Sequence, residues 1–574
     1  MTDTILTASS IITMDDAHPR AEAIAFDSDT GLITVVGTVA QCREHAPGVA
    51  VTDLGGTVLM PGFIEAHSHP VLAGLLTQDP VHWIAPSNGY PTFADVAGLW
   101  HTIDKETSPG TPVVFYGLDR PTQGVAAPTA PSLDDYFPGR SAVVLDNSGH
   151  AVYFNSKVID ELGWPDGKPP ADPPGARFGR NPDGTSNGIA YETAAILAVA
   201  VPTLQRVIAN PLASAAAFVR LMAANGITAT SDMAYADTLL PAYEALLSRP
   251  DAPIRISVYR SMTGPNAHDP VATSLSTALL QQQGVKMWAD GSPFLGTLAA
   301  SFPYASSAVV QQAGIPIGPG GVANMNWTRQ QIDPILDHFA PTGLQVVTHI
   351  NGDEALDIML DAYEHALAVH HLLGTNHRWR IDHCGAARAD QLQRAHSLGV
   401  VLSSAIYQVI YWGDLLDGQL FATDIGSQWA ATGDAVRAGM RISFHNDGPL
   451  SPPIPLANVE CAVTRRSVTG HVHGPQQIID LEKALRGHTI DAAYGLRREK
   501  EIGSLAVGKY ADLVELSTDP YEADPTKLVE QVAVHGTWLA GRRIDLDQFV
   551  QQVTGLDPAS HPVDHGDVIA THSC

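Results

Sequence analysis

Residues Val58 to Pro70, VLMPGFIEAHSHP, run apolar through a Pro-Gly step and stop at two histidines separated by one serine. Side chains alternate between the faces of a β-strand, so His67 and His69, at i and i+2, are expected to project together toward one cation. Zinc and similar borderline metals accept imidazole ligands in that arrangement. With 24 histidines in 574 residues close pairs also arise by chance, and an H-x-H alone is equally a pair of hydrogen-bonded structural histidines. The address sets this one apart, because the pair sits where an apolar strand ends.

Working outward, short apolar runs alternate with helical stretches, the pattern of parallel βα units. Eight strands are expected: VLMPGFIEAHSH, GITATSDM (226–233), IRISVYRSM (254–262), GVKMWADG (284–291), QVVTHING (345–352), RWRIDHCG (378–385), GVVLSSA (399–405) and RISFHNDG (441–448). ASAAAFVRLMAAN, DEALDIMLDAYEHALAVHH and ADQLQRAHSLG read as helices between them. Eight such units predict an α/β fold, a (β/α)8 TIM barrel over residues 58–502. Residues from about 80 to 212 do not fit the repeat and are expected to form an insertion after the first strand, folded over the barrel mouth. Its tract DGKPPADPPGARFGRNPDGTSNG reads as a loop. Residues 1–57 read as antiparallel strands, and 503–574 again hold strand-like segments, so the chain ends are expected to build one composite β-sandwich. Two unrelated terminal hairpins would give the same pattern.

Lys and Arg number 33 against 60 Asp and Glu, a net charge of −27 that repels nucleic acid and anionic membrane surfaces. A small-molecule substrate is therefore the expected partner, with no nucleic acid and no membrane; a homodimer stays open. Cys42, Cys384, Cys461 and Cys574 are scattered without C-x-x-C spacing, which fits a reducing compartment. The N-terminus lacks a basic region followed by an apolar core, and no stretch approaches a membrane span, so the expected location is cytoplasmic.

The C-terminal ends of barrel strands meet at one face although they lie far apart in sequence. The first strand ends in His67 and His69, the fourth carries Lys286, the fifth ends in His349, the sixth in His383 and the eighth in Asp447. Each has a plain structural alternative: a hydrogen-bonded histidine, a turn aspartate before Gly448, a lysine paired with Asp290 or Asp232. Falling together at one end of the expected strands, they read as a ligand set. A single metal held by His67, His69, one further histidine and Asp447 would satisfy the same residues.

This ordered set resembles the metal-dependent amidohydrolase superfamily over most of the chain. VKMWADGS, THINGDEALDIMLDAYE, RIDHCG and FHNDGPLSPPIPLANVECAVTR are similar to the YtcJ-type branch that includes N-substituted formamide deformylase, as are SGHAVYFNSKVIDELG and PDGTSNGIAYE in the insertion. Glu65 stands where the superfamily often has Asp, and DGSPFLGTLAA is looser than the usual stretch after the lysine. The resemblance implies one or two divalent metals, zinc above all, bound by His67, His69, Lys286, His349, His383 and Asp447. It also implies an N6-carboxylated Lys286 as the bridge between two metals, which would remove the repulsion of an ammonium beside cations.

The expected function is a metal-dependent hydrolase of a non-peptide C–N bond, an amide or N-substituted formamide, using metal-activated water. Asp447 is the expected proton shuttle, taking a proton from water and passing it to the leaving nitrogen. His150 is expected to hold substrate, with the aromatics Tyr407, Tyr411 and Trp412 shaping the pocket or packing beside it. The same ligands are compatible with ester, lactone or amidine-type (deaminase) substrates. A catalytically silent scaffold is the remaining alternative, disfavoured because all six ligand positions are filled.

Overall fold

The computed structural model describes residues 3–264 and 266–555. Eight parallel strands, β1 (Phe63–Glu65), β2 (Ile227–Tyr235), β3 (Arg255–Ser261), β4 (Leu280–Trp288), β5 (Gln345–Ile350), β6 (Arg380–His383), β7 (Val401–Ser404) and β8 (Ile442–Phe444), hydrogen-bond side by side in chain order. Every residue of β1, β5, β6, β7 and β8 is buried. Parallel strands covered on both faces read as unbroken apolar runs, which is why the expected strands match the observed ones. The expected helices also form, as Pro211–Ala224, Asp353–Val369 and Ala389–Ser397.

The sheet is nearly closed, and the seam between β8 and β1 is filled by residues 487 and 488. Phe444 N donates to Gly487 O at 3.0 Å, and Ile64 N donates to His488 O at 2.7 Å. The His488 ring is buried in this seam, with Nδ1 3.1 Å from Ile64 O and Nε2 3.1 Å from Asn458 Nδ2. Nearer the mouth, Asn446 donates its N and Nδ2 to the Glu65 carboxylate at 2.5 and 2.8 Å. Two side chains thus clasp where a strand ladder would otherwise run.

The opening stretch is not one barrel strand. Val58–Pro61 lies parallel to the first strand of the chain, Asp3–Ile12, and antiparallel to Leu513–Leu516, so it belongs to a sheet built from both chain ends. Only after Gly62 does the chain enter the barrel as β1. A Cβ at Gly62 would lie 2.2 Å from the Thr228 side chain, so the crossing requires glycine. The N-terminal strands are not purely antiparallel either: Val51–Asp53 runs parallel to Asp3–Ile12. A parallel return needs a crossover, and the helix Val39–His45, capped by Thr38 and Gln41, supplies it.

The insertion holds its own six-stranded sheet, between His82–Trp83 at one edge and Arg177–Arg180 at the other. Its Pro/Gly-rich tract is more than a loop, because Arg177–Arg180 pairs antiparallel with Ser186–Tyr191. The insertion grips the mouth of the barrel: Trp412 Nε1 donates to Asp119 Oδ2 at 2.6 Å, and Arg120 Nη1 donates to Ala313 O at 2.9 Å. Among the described residues no single helix is long and apolar enough to cross a membrane. Cys574 lies outside the described residues, and Cys42, Cys384 and Cys461 are buried free thiols.

Candidate metal centre

The H-x-H pair lies beyond its strand rather than on it: β1 ends at Glu65, and His69 occupies the N-cap position of the helix Pro70–Thr77. Proline at the first helical position fixes where that helix can begin. The loop between is pinned from both sides, with Met233 N donating to Ser68 O and His69 N to Gly448 O, both at 3.0 Å. Convergence of the two rings, 5.4 Å apart, therefore comes from this pinned loop and not from strand alternation.

Asp447 is the carboxylate they share. Its Oδ1 lies 3.2 Å from His67 Nε2 and 3.6 Å from His69 Nε2, while Oδ2 lies 3.7 Å from His383 Nδ1 and accepts from Tyr407 OH at 3.2 Å. Burial alone would raise this carboxyl, but His67, His383 and His69 hold it well below its ordinary range. Asp447 and His383 have φ of 55° and 68°, in the left-handed region that few non-glycine residues adopt.

Lys286 is fully buried in β4 and pairs with neither Asp290 nor Asp232. Its Nζ donates to Asp382 Oδ2 at 2.8 Å, and the same oxygen lies 2.7 Å from His67 Nδ1. Arg380 completes the cluster, Nε to Asp382 Oδ1 at 2.7 Å. Burial raises and then Arg380, Lys286 and His67 more than reverse the Asp382 pKa, which ends well below normal; burial lowers that of Lys286 against the pull of Asp382. A carboxylate on the far nitrogen of a histidine fixes its tautomer and ring orientation, as metal-binding histidines require.

His349 closes another side, its ring 4.4 Å from that of His383. Burial, His150 and Lys286 keep His349 neutral, and burial with His349 does the same for His383. His150 reaches in from the insertion, its ring 4.7 Å from His349 and its Nδ1 2.9 Å from Glu192 Oε2. Tyr407 touches the cluster through Asp447. Trp412 stands one layer out, 6.1 Å from Tyr407 and 4.9 Å from Phe294, and Tyr411 packs on it at 5.7 Å.

Two nearby groups escaped sequence reasoning. His445 stacks on His67 at 4.8 Å, and its Nε2 lies 3.1 Å from His383 Nδ1. Asp382 precedes His383 directly. Both sit within motifs already singled out, and the available signal was a polar residue on, or directly after, a strand with no exposed face.

The donor set fits a divalent cation. Facing nitrogens and carboxylate oxygens of His67, His69 and Asp447 lie within 4.8 Å of one another, as do those of His67, His383 and His445. The buried His383 Nε2 has no hydrogen-bond partner, although buried polar atoms are normally satisfied.

Comparisons with known proteins agree. The chain is 26% identical over 552 residues to N-substituted formamide deformylase of Arthrobacter pascens, covering 92% of this chain and 96% of that protein. It is 22% identical over 551 residues to the putative amidohydrolase YtcJ of Bacillus subtilis (strain 168), with 90% and 95% covered. An uncharacterized metal-dependent hydrolase from Pyrococcus horikoshii OT3 has the same fold, with a TM-score of 0.67 at 20% identity over 91% of this chain and 99% of that one. The profile of the amidohydrolase family matches residues 50–545, and the chain belongs to that family, enzymes that hydrolyse carbon–nitrogen bonds other than peptide bonds.

Proposed function

We propose that this metal-dependent hydrolase cleaves an amide or N-substituted formamide, with one or two divalent cations held by His67, His69, His349, His383 and Asp447, and by Lys286 where that residue carries a carbamate. The observation that carries the reading is the Asp447 carboxylate, turned with Oδ1 toward His67 and His69 and Oδ2 toward Tyr407. A divalent cation bound there, zinc in our reading, would polarise the carbonyl and acidify water. Two cations require Lys286 to carry a carbamate, which replaces its ion pair with Asp382; Arg380 and His67 then remain as partners of that aspartate.

The neighbouring histidines keep Asp447 ionised at neutral pH, so it can accept a proton, and Oδ2, which also accepts from Tyr407, is the oxygen turned away from His67 and His69. Passing that proton to the leaving nitrogen lets it depart as an amine, since an amide anion is a very poor leaving group. His150 and Tyr407 border the space where a carbonyl would lie, His150 reaching it from the insertion. The full-length similarity to a formamide deformylase supports this bond class.

Metal analysis of the purified protein alongside a panel of formamides, acyl amides, cyclic amides, esters and lactones tests the reading. Turnover of a C–N substrate that falls on chelation and returns with zinc is expected. Turnover of esters or lactones alone overturns the bond class.

A further inference from the structure

We propose that Glu192 is a positioning residue that holds His150 over the metal-binding cluster and leaves its second ring nitrogen facing the substrate; this rests on the function proposed above. Glu192 precedes the helix Thr193–Val207 and is buried at 5% relative exposure. Its backbone, φ 66° and ψ 158°, occupies a region open in practice only to glycine. A side chain held there at such a cost has a task that a relaxed residue could not perform.

The task is visible in two bonds to one partner. Glu192 N donates to His150 O at 3.1 Å, and Glu192 Oε2 lies 2.9 Å from His150 Nδ1. A carboxylate accepting from Nδ1 keeps the proton on that nitrogen and fixes the ring plane. The opposite nitrogen, Nε2, makes no hydrogen bond among the described residues, and the His150 side chain keeps 11% exposure at the mouth. With the ring 4.7 Å from His349, that nitrogen is presented to a molecule lying against the cluster. The pair reaches the barrel from the insertion, so the insertion contributes chemistry as well as cover.

The test uses the full-length, metal-loaded protein carrying Glu192→Ala, Glu192→Gln, Glu192→Gly, His150→Ala, or both alanines. On whichever panel compound is turned over, Glu192→Ala is expected to lower kcat at least tenfold with a smaller change in KM and unchanged metal content. The double variant is expected to be no slower than His150→Ala alone, and Glu192→Gln to recover part of the loss. Glu192→Gly, freed of backbone strain, is expected to melt above Glu192→Ala yet remain as slow. Independently of any substrate, the histidine 15N ring signals missing in His150→Ala are expected to show a protonated Nδ1 in the wild type and a changed tautomer in Glu192→Ala. Additive effects of the two alanines, wild-type rates in Glu192→Gly, or unchanged His150 ring signals in Glu192→Ala would each overturn the proposal. A panel that yields only an ester substrate refutes the C–N reading while the same cycle still decides Glu192; if nothing is turned over, the ring signals decide it.

Discussion

Lys286 Nζ donates to Asp382 Oδ2 at 2.8 Å in a part of the barrel where both side chains are fully buried. A buried ion pair stands only when its remaining hydrogen-bonding capacity is filled, and here Arg380 and His67 fill that of Asp382. The lysine is therefore the replaceable member. Converting its ammonium to a carbamate would leave Asp382 with two partners, whereas losing Asp382 would strand Lys286, Arg380 and the far side of His67 together.

Two substitutions separate these roles. Lys286→Ala is expected to lose metal from one of two sites and most activity, with partial rescue by bicarbonate or a short carboxylic acid that supplies bridging oxygens. Asp382→Ala is expected to cost about 3–5 kcal/mol of stability, the range for breaking a buried pair, and no added acid should rescue it. Melting temperature and metal content read both. A carbamate bridge is ruled out if fully active enzyme equilibrated with 13C-bicarbonate shows no carbamate carbon signal that disappears in Lys286→Ala.

The H-x-H pair has a simpler expectation. Replacing His67 and His69 with Ala together should remove bound metal and activity and leave the barrel folded, because the loop is pinned by backbone bonds of Ser68 and His69 that alanine keeps. Elemental analysis with circular dichroism checks both halves. Near-stoichiometric metal in the double variant would sink the ligand assignment.

What the sequence disclosed follows from burial. Strands covered on both faces leave no place for a polar side chain without a purpose, so Lys286 in GVKMW and His349 in QVVTHI stood out. Asp382 and His445 did not, because each lies next to or near a residue already given a role. The positive φ of His383 and Asp447 could not be read either, since neither is glycine, and the segment's propensity says nothing about a conformation imposed by its neighbours. The division of VLMPGFIEAHSHP between two sheets was hidden for another reason: both halves are buried strands of the same composition, and Gly62 marks a close approach whose partner, Thr228, is far away in sequence. In the insertion, glycines and prolines that read as a loop surround a two-stranded edge whose pairing depends on the rest of its sheet.

Acid should weaken the barrel at its seam. Burial lowers the pKa of His488 to about 4, against roughly 6.5 in an unfolded chain. Between those values the native state binds fewer protons than the unfolded chain, so this contribution is whole above about pH 6.5 and is lost as pH falls toward 4. At most it amounts to on the order of 3 kcal/mol. His488→Gln, which can still bond Ile64 O or Asn458, is expected to be less stable at pH 7.5 and to lose less between pH 7 and 5 than the wild type, in chemical denaturation at each pH. An equal loss in both proteins would show that the seam histidine is not what titrates.

Asp447 combines two roles that asparagine can split. Its Oδ1 faces His67 and His69, and Oδ2 accepts from Tyr407. Asn retains the size and one coordinating oxygen but cannot accept a proton from water, so Asp447→Asn is expected to keep most of its metal and lose most of its rate. General acid–base assistance is worth roughly 10²- to 10⁴-fold, and loss of metal polarisation adds to that only if the metal goes as well. Tyr407→Phe removes a donor to Oδ2 and leaves the carboxylate in place, so its loss should be smaller, about tenfold for one hydrogen bond to a charged group. Metal content and rate must come from the same preparation. An Asp447→Asn enzyme that holds its full metal and more than about a tenth of the wild-type rate falls below the acid–base range. The proton would then have to travel through another group, and His150, held by Glu192 against His349, is the one placed to carry it.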